Sequence, residues 1–190
     1  MRAAVLVPVK DFHQAKVRLS PALTPPERAS LARAMAGHVL AAAAPLPVWV
    51  VCDSDEVAEF ARGAGAGVLW LPGRGLNGAV NEGVDALAAR GVERVVVAHG
   101  DLPLAGDLTW AARLDVVTLV PDRHDEGTNV ASVPTAAGFR FSYGPGSFHR
   151  HAAEAHRLGL PLRVVREPGL GWDVDLPVDL EHPALAVTPR

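Results

Sequence analysis

Apolar residues fall along this chain in short bursts, separated by stretches where apolar and polar positions alternate at helical spacing. "AAVLVPV", "PVWVVCD", "GVLWLP", "RVVVAHGD" and "VVTLVPD" are strand-length runs rich in Val and Leu, and they read as buried strands. Between them, "PPERASLARAMAGHVLAAA", "SDEVAEFARGAG" and "NGAVNEGVDALAAR" read as helices. The first carries a start signal: Thr24 as N-cap, Pro25 at the first helical position and Glu27 three residues beyond the cap. Strand–helix alternation implies right-handed crossovers and a mainly parallel sheet. After residue 128 the pattern changes, and "TNVASVP", "GFRFSYG" and "LRVVREP" predict an antiparallel element interrupted by a helix near "SFHRHAAEAHRLG". The expected organisation is a single α/β domain over residues 1–182 with a loose tail over 183–190.

Ligands of open α/β sheets sit outside the carboxyl ends of the strands. That rule gathers residues 10–18, 71–81, 99–102 and 121–128 on one rim, where the unusual motifs of the first two thirds of the chain fall. Composition narrows what the rim can do. A chain of 190 residues, 49% hydrophobic, can bury a full core, and no apolar run approaches the ~18 residues of a membrane span. The opening "MRAAVLVPVK" lacks a signal-peptide cleavage pattern, and the single Cys52 excludes an intrachain disulfide, so a reducing cytoplasm is the expected setting. A net charge of −3 argues against broad binding to nucleic acid or acidic membranes, so an anionic partner must be met by local positive charge.

The chain has 16 arginines but only two lysines, Lys10 and Lys16, both in "VPVKDFHQAKVRLSP" just after the first strand. Drift toward GC-rich codons explains scarce Lys and absent Ile, but a retained Lys marks a place where a compact, strongly hydrated point charge is wanted. The stretch sits where phosphate loops usually sit, yet from Lys10 to Arg18 it has no Gly, so Lys10, Lys16 and Arg18 would supply charge through side chains. In "VVVAHGDLPL", Asp101 ends a strand and suits Mg²⁺, or serves as an N-cap ahead of Pro103. In "GWDVDLPVDL", Asp173 and Asp175 would face one side of an extended segment and repel unless a cation lies between them; alternatively Asp175 caps a short helix near Pro177. Asn77 and Asn81 stand one helical turn apart, with donors and acceptors suited to a nucleoside, or Asn77 caps a helix. Gly127, Thr128, Gly144 and Ser147 offer backbone N–H groups and hydroxyls for a small carboxylate or phosphate, although ordinary turns have the same composition. The eight histidines are expected to be surface residues without a ligand role, and no Ser–His–Asp, paired-Cys or HExxH arrangement is present.

Taken together, "PVKDFHQAKVRLSP", "LNGAVNEG", "HGDLPL", "PDRHDEGTNV", "FSYGPGSFHRH" and "DVDLPVDL" resemble, in order, the 2-phospholactate/phosphoenolpyruvate guanylyltransferases of coenzyme F-420 biosynthesis. The resemblance implies a three-layer α/β, glycosyltransferase-A-like nucleotidyltransferase fold. It implies a reaction that moves GMP from GTP to the phosphate of phosphoenolpyruvate or 2-phospho-L-lactate. It also implies two Mg²⁺ ions, or Mn²⁺ in their place, on Asp101, Asp173 and Asp175. Lys10, Lys16 and Asp101 become the catalytic groups, with Lys10, Lys16, Arg18, Asn77 and Asn81 on GTP and with Thr128, Gly144 and Ser147 on the acceptor's carboxylate. The expected partners are GTP and a small phosphorylated carboxylic acid; a homodimer and a hand-off of the product to the next transferase are compatible with the sequence, which decides neither. "GPGSFHRH" departs from the family pattern before Ser147 and after Phe148, which leaves the acceptor open among these two acids and 3-phosphoglycerate. A nucleotidyltransferase for molybdopterin or a sugar acid, or a non-catalytic GTP-binding regulator, are the rival expectations.

Overall fold

The structure is a computed structural model, and it describes residues 2–185. Strand β1 (Ala3–Pro8) leads through the lysine-bearing loop into helix α1 (Pro25–Ala42). Glu27 accepts hydrogen bonds from the Thr24 backbone N–H at 2.8 Å and from the Thr24 hydroxyl at 2.7 Å, so the predicted start signal operates. Next come β2 (Val48–Cys52), α2 (Asp55–Gly63), β3 (Gly67–Trp70), α3 (Gly75–Ala89) and β4 (Arg94–Ala98). The short helix α4 (Thr109–Arg113) precedes β5 (Val117–Pro121), β6 (Thr128–Pro134), α5 (Ser147–Arg157) and β7 (Leu162–Val164).

The seven strands form one sheet in the order β3-β2-β1-β4-β6-β5-β7. Pairings β1–β2, β1–β4, β2–β3 and β5–β7 are parallel, and only β6 runs against both of its neighbours. The antiparallel element is therefore narrower than the sequence suggested. "LRVVREP" supplies a parallel edge strand, and "GFRFSYG" forms no ladder at all. Helix α4, at five residues, is too short for its period to stand out from the sequence.

Two-residue alternation along β1 sends Val5 and Val7 to one face and Ala4 and Leu6 to the other. The first face packs with α1, α2 and α4, the second with α3 and α5, giving the three layers expected of doubly covered parallel strands. A third, smaller cluster joins Leu19, Met35 and Val174 with Leu185, so the tail expected over 183–190 is anchored at least to Leu185. Residues 186–190 lie outside the described residues.

Candidate active site at the carboxyl rim

The loop after β1 is shaped by side chains rather than by glycine. The Asp11 carboxylate accepts the backbone N–H of His13 at 2.9 Å and of Gln14 at 3.3 Å, and the Ser54 hydroxyl at 2.9 Å. Phe12 is buried edge-on against Phe60 of α2, with ring centroids 5.3 Å apart. These contacts tie the loop to the end of β2. Beyond them, Lys16 takes the left-handed backbone conformation at φ 55°, a region that side-chain-bearing residues rarely enter. Such strain persists only where surrounding contacts hold it. Here the contact is ionic: the Lys16 ammonium donates to Asp101 Oδ2 at 2.7 Å and to Asp175 Oδ1 at 3.0 Å, with its side chain only 9% exposed.

Burial by itself pushes the Lys16 pKa down, but Asp101 and Asp175 outweigh it and leave the ammonium more firmly protonated than an ordinary lysine. Burial pushes the Asp101 carboxyl up, yet Lys16, and after it His99, hold it below the ordinary carboxylate value. The second oxygen, Asp101 Oδ1, is buried without any hydrogen-bond donor. Asp173 is the opposite case: burial raises its pKa, and the charges of Asp101 and Asp175 raise it further. Its nearest opposing groups are the Asn129 amide, 3.5 Å away, and the Arg123 guanidinium at 3.8 Å. Among the described residues, the three carboxylates are met at close range by the Lys16 ammonium alone, and at 3.8–3.9 Å by the guanidinium groups of Arg123 and Arg18.

Around this group lies a cleft of about 780 Å³. Its walls include Lys10, Lys16 and Arg18 from the loop, Asp53 after β2, Leu76 and Ala79 of α3, and His99, Gly100 and Asp101 after β4. Lys10 is exposed there and forms no ion pair among the described residues; Arg18 reaches to 3.9 Å from Asp175. Three of the four predicted rim segments thus meet in one cavity. Among the described residues, no three His, Cys, Asp or Glu side chains converge closely enough to hold a metal ion. The cation that Asp101 and Asp175 share is Lys16. Nor does Asp175 cap the following turn. The carboxylate of Asp179 accepts the N–H of Asp175 at 2.8 Å and of Leu176 at 2.7 Å, which leaves Asp175 free for Lys16.

Other expected site residues are placed differently. The amide of Asn81 donates to Phe141 O at 3.0 Å and accepts from Phe141 N at 2.9 Å, and Asn77 exchanges the same pair of bonds with Tyr143. Both side chains therefore clasp the 141–143 segment, while Gly75, Leu76 and Ala79 of the same helix face the cleft. Thr128 and Ser147 are buried together, the Thr128 N–H donating to Ser147 Oγ at 3.1 Å, and the Ser147 N–H donates to the Gly144 carbonyl at 3.0 Å. None of these three lines the cleft. Sequence reasoning missed the placement of two histidines. His99 forms part of the cleft wall and lies 4.8 Å, ring to ring, from Tyr143. His151 is wholly buried, contrary to the surface placement expected for histidines. Proximity of His99 to "GD" in the sequence was the available signal for the first, whereas the second depends on contacts distant in the chain.

Residues 3–185 match the family described as guanylyl transferase CofC like. A phosphoenolpyruvate guanylyltransferase of Sphaerobacter thermophilus is 39% identical over 96% of this chain and 92% of its own. A 2-phospho-L-lactate guanylyltransferase of Methanothermobacter thermautotrophicus is 36% identical over 95% of this chain and 83% of its own. Among solved structures, a candidate nucleotide-diphospho-sugar transferase of Desulfovibrio desulfuricans superposes with a TM-score of 0.78 over 96% of this chain and 87% of that one, at 16% identity. The last likeness bears on the fold, which is that of the nucleotidyl and nucleotide-diphospho-sugar transferases.

Proposed function

The chain belongs to the CofC-like guanylyl transferase family and is a nucleotidyltransferase, and from that premise we propose that it transfers GMP from GTP to the phosphate of phosphoenolpyruvate, with 2-phospho-L-lactate as the related alternative acceptor. The bond formed joins an acceptor phosphate oxygen to the α-phosphorus of GTP; the bond broken releases pyrophosphate. The setting implied by the family resemblance is coenzyme F-420 biosynthesis.

The observation that carries this reading is the ionic knot of Lys16, Asp101 and Asp175 at the edge of a cleft walled by Lys10 and Arg18. A phosphate monoester, with its second pKa near ~6, is already an anionic nucleophile at neutral pH. The reaction therefore needs no general base, in keeping with a cleft that offers no Ser–His–Asp relay. What it must overcome is repulsion between two polyanions. One pair of unit charges at ~4 Å costs about 4 kcal/mol at an effective dielectric of ~20, and each ~1.4 kcal/mol left uncompensated slows the step about tenfold. Lys10, Lys16 and Arg18 provide the protein's share of counter-charge on the loop side. Gly100, just before Asp101, packs against the end of β1, where an added Cβ would meet Val9, Val7 and the Pro8 carbonyl at 3.5–3.6 Å, ordinary van der Waals contact.

Carboxylate oxygens are the ligands that a divalent ion of the Mg²⁺ kind prefers, Asp101 Oδ1 is buried with no partner, and Asp173 is held near like charges. As they stand, Asp101, Asp173 and Asp175 do not converge closely enough to hold such an ion, and Lys16 binds two of them. Were Lys16 to release Asp101 and Asp175, the three carboxylates would be the residues to hold it, and it would supply charge neutralisation for the two phosphate groups.

The deciding assay is pyrophosphate release from GTP and Mg²⁺ with phosphoenolpyruvate, 2-phospho-L-lactate and 3-phosphoglycerate in turn. Turnover is expected with phosphoenolpyruvate at least tenfold above 3-phosphoglycerate. Release with none of the three contradicts the reading.

A further inference from the structure

Beside the cations that the proposed reaction uses, the cleft holds two features without an assigned role. The first is a free carboxylate. Four aspartates line the cleft, and the protein engages three of them. Both oxygens of Asp11 accept hydrogen bonds, from the His13 and Gln14 N–H groups and from the Ser54 hydroxyl. Asp101 and Asp175 are bound by Lys16. Asp53 is exposed, and its side chain forms no hydrogen bond or ion pair among the described residues. Its backbone is nevertheless held on both sides. The carbonyls of Val51 and Cys52 accept the N–H groups of Val9 and Leu71, each at 3.0 Å, and Ser54 is buried and bonded to Asp11 at 2.9 Å. A carboxylate on a fixed backbone and without a protein partner is preorganised for an external donor.

The second feature is an apolar wall of the same cleft, formed by Val51, Leu71, Leu76 and Ala79, with Leu76 exposed. Strand order sets these features along the rim. Lys10 follows β1 and Asp101 follows β4, whereas Asp53 follows β2 and Leu71 follows β3. In the order β3-β2-β1-β4, with about 4.8 Å between neighbours, the ends of β2 and β4 lie roughly 10 Å apart across the sheet. The cleft is therefore charged at its β1–β4 end and apolar, with one free carboxylate, at its β2–β3 end. That suits a ligand whose anionic tail carries a flat head group with N–H donors on its edge. Asn77 and Asn81, expected on the nucleoside, are taken up by the 141–143 segment, so another group has to read the base. Guanine presents its N1–H and its 2-amino group side by side, and two parallel N–H donors match the two oxygens of a carboxylate. Adenine has an acceptor at N1 and cannot form that pair.

Resting on the functional reading above, we propose that Asp53 is the specificity-determining residue for guanine: its carboxylate accepts from N1–H and the 2-amino group of GTP, while Leu71, Leu76 and Ala79 cover a face of the ring. The contact selects the nucleotide and takes no part in bond making. An aspartate that is merely solvated ahead of helix α2 would be indifferent to which base the triphosphate carries.

The test exchanges base edge and side chain together. Xanthine keeps N1–H but carries a carbonyl oxygen in place of the amino group; the amide of Asp53→Asn can donate to that oxygen and still accept from N1–H. With phosphoenolpyruvate as acceptor, kcat/KM of wild type is expected to be at least about a hundredfold higher for GTP than for xanthosine triphosphate. Asp53→Asn should raise KM for GTP about ten- to a hundredfold, the loss expected for hydrogen bonds to a charged group. It should use xanthosine triphosphate better than GTP, with KM for phosphoenolpyruvate within about twofold of wild type. A second measurement needs no variant. Inosine triphosphate, which lacks the amino group, should bind wild type at least about tenfold more weakly than GTP in calorimetry. A variant that keeps the preference for GTP, or wild type that binds the inosine and guanosine nucleotides equally, overturns the proposal. Wild-type protein that releases no pyrophosphate from GTP with any of the phospho-acids overturns the functional reading and this proposal together; failure in active enzyme overturns this proposal alone.

Discussion

At the scale of single residues, Lys16 and His151 show how position changes what an ionisable group does. Lys16 is a surface-type residue drawn under its own loop by two carboxylates, at the cost of a left-handed backbone. In the proposed reaction the Lys16 ammonium would also face the GTP phosphates, a contact that contributes on the order of 1.5–3 kcal/mol, so Lys16→Ala should raise KM for GTP by about ten- to a hundredfold with a smaller effect on the acceptor; an unchanged dependence on GTP contradicts that role. The lysine pair could be singled out from the sequence because the remaining positive charge is arginine. Asp101 and Asp175 could be singled out too, but as ligands of a metal ion; that they bind the Lys16 ammonium was not legible. His151 could not, because its environment is assembled from Phe139, Phe141 and Tyr143 in one segment and Thr128 in another. It also makes a prediction about pH. The folded pKa, about 4, lies below the ordinary 6.5, so the neutral ring contributes stability that is complete above pH 6.5 and lost as pH falls toward 4. The size is on the order of 3 kcal/mol. Denaturant unfolding between pH 7 and 4 should therefore show a steep loss for wild type and a shallower one for His151→Asn; parallel curves contradict the assignment.

Among the elements, the informative pairing is that between helix α3 and the segment 141–143. Residues four apart on a helix are separated by about 6 Å along its axis, and residues two apart in an extended chain by about 6.8 Å. Asn77 and Asn81 can therefore meet Tyr143 and Phe141 with one rotamer each, and their amides take the place of a neighbouring strand. This explains how "GFRFSYG" can look like a strand in sequence and yet join no sheet. The segment was expected to be part of an antiparallel element and is not, because its partner is a pair of side chains 60 and 66 residues away. Local pattern cannot reveal such a partner. The same clasp carries the Ser142 N–H that fixes His151. Asn81→Ala should lower stability by about 3 kcal/mol, near ~1 kcal/mol for each of three lost hydrogen bonds, two with Phe141 and one to the Asn77 carbonyl, and should speed hydrogen exchange at the Phe141 amide. Unchanged protection at Phe141 would show that the clasp contributes nothing.

For the whole molecule, seven strands set the β1, β2 and β4 ends side by side, so loops far apart in sequence share one cleft. This much was legible beforehand, because strand–helix alternation and the carboxyl-rim rule need only local patterns. Capping by Thr24 and Glu27 was equally legible. The direction of β7 was not, since it is decided by pairing with β5 across the sheet. The proposed reaction depends on charge: the cleft brings Lys10, Lys16 and Arg18 together with Asp101 and Asp175, and under the proposed function these groups let two polyanions meet. Asp101 is where these meet, and Asp101→Asn removes the charge while keeping the shape. The direct measurement is pyrophosphate release from GTP, Mg²⁺ and phosphoenolpyruvate by Asp101→Asn and by wild type, each checked by its melting temperature. Turnover should fall at least a thousandfold, roughly 4 kcal/mol of lost transition-state stabilisation, in a variant that still melts cooperatively; a folded variant turning over within about tenfold of wild type would contradict the account.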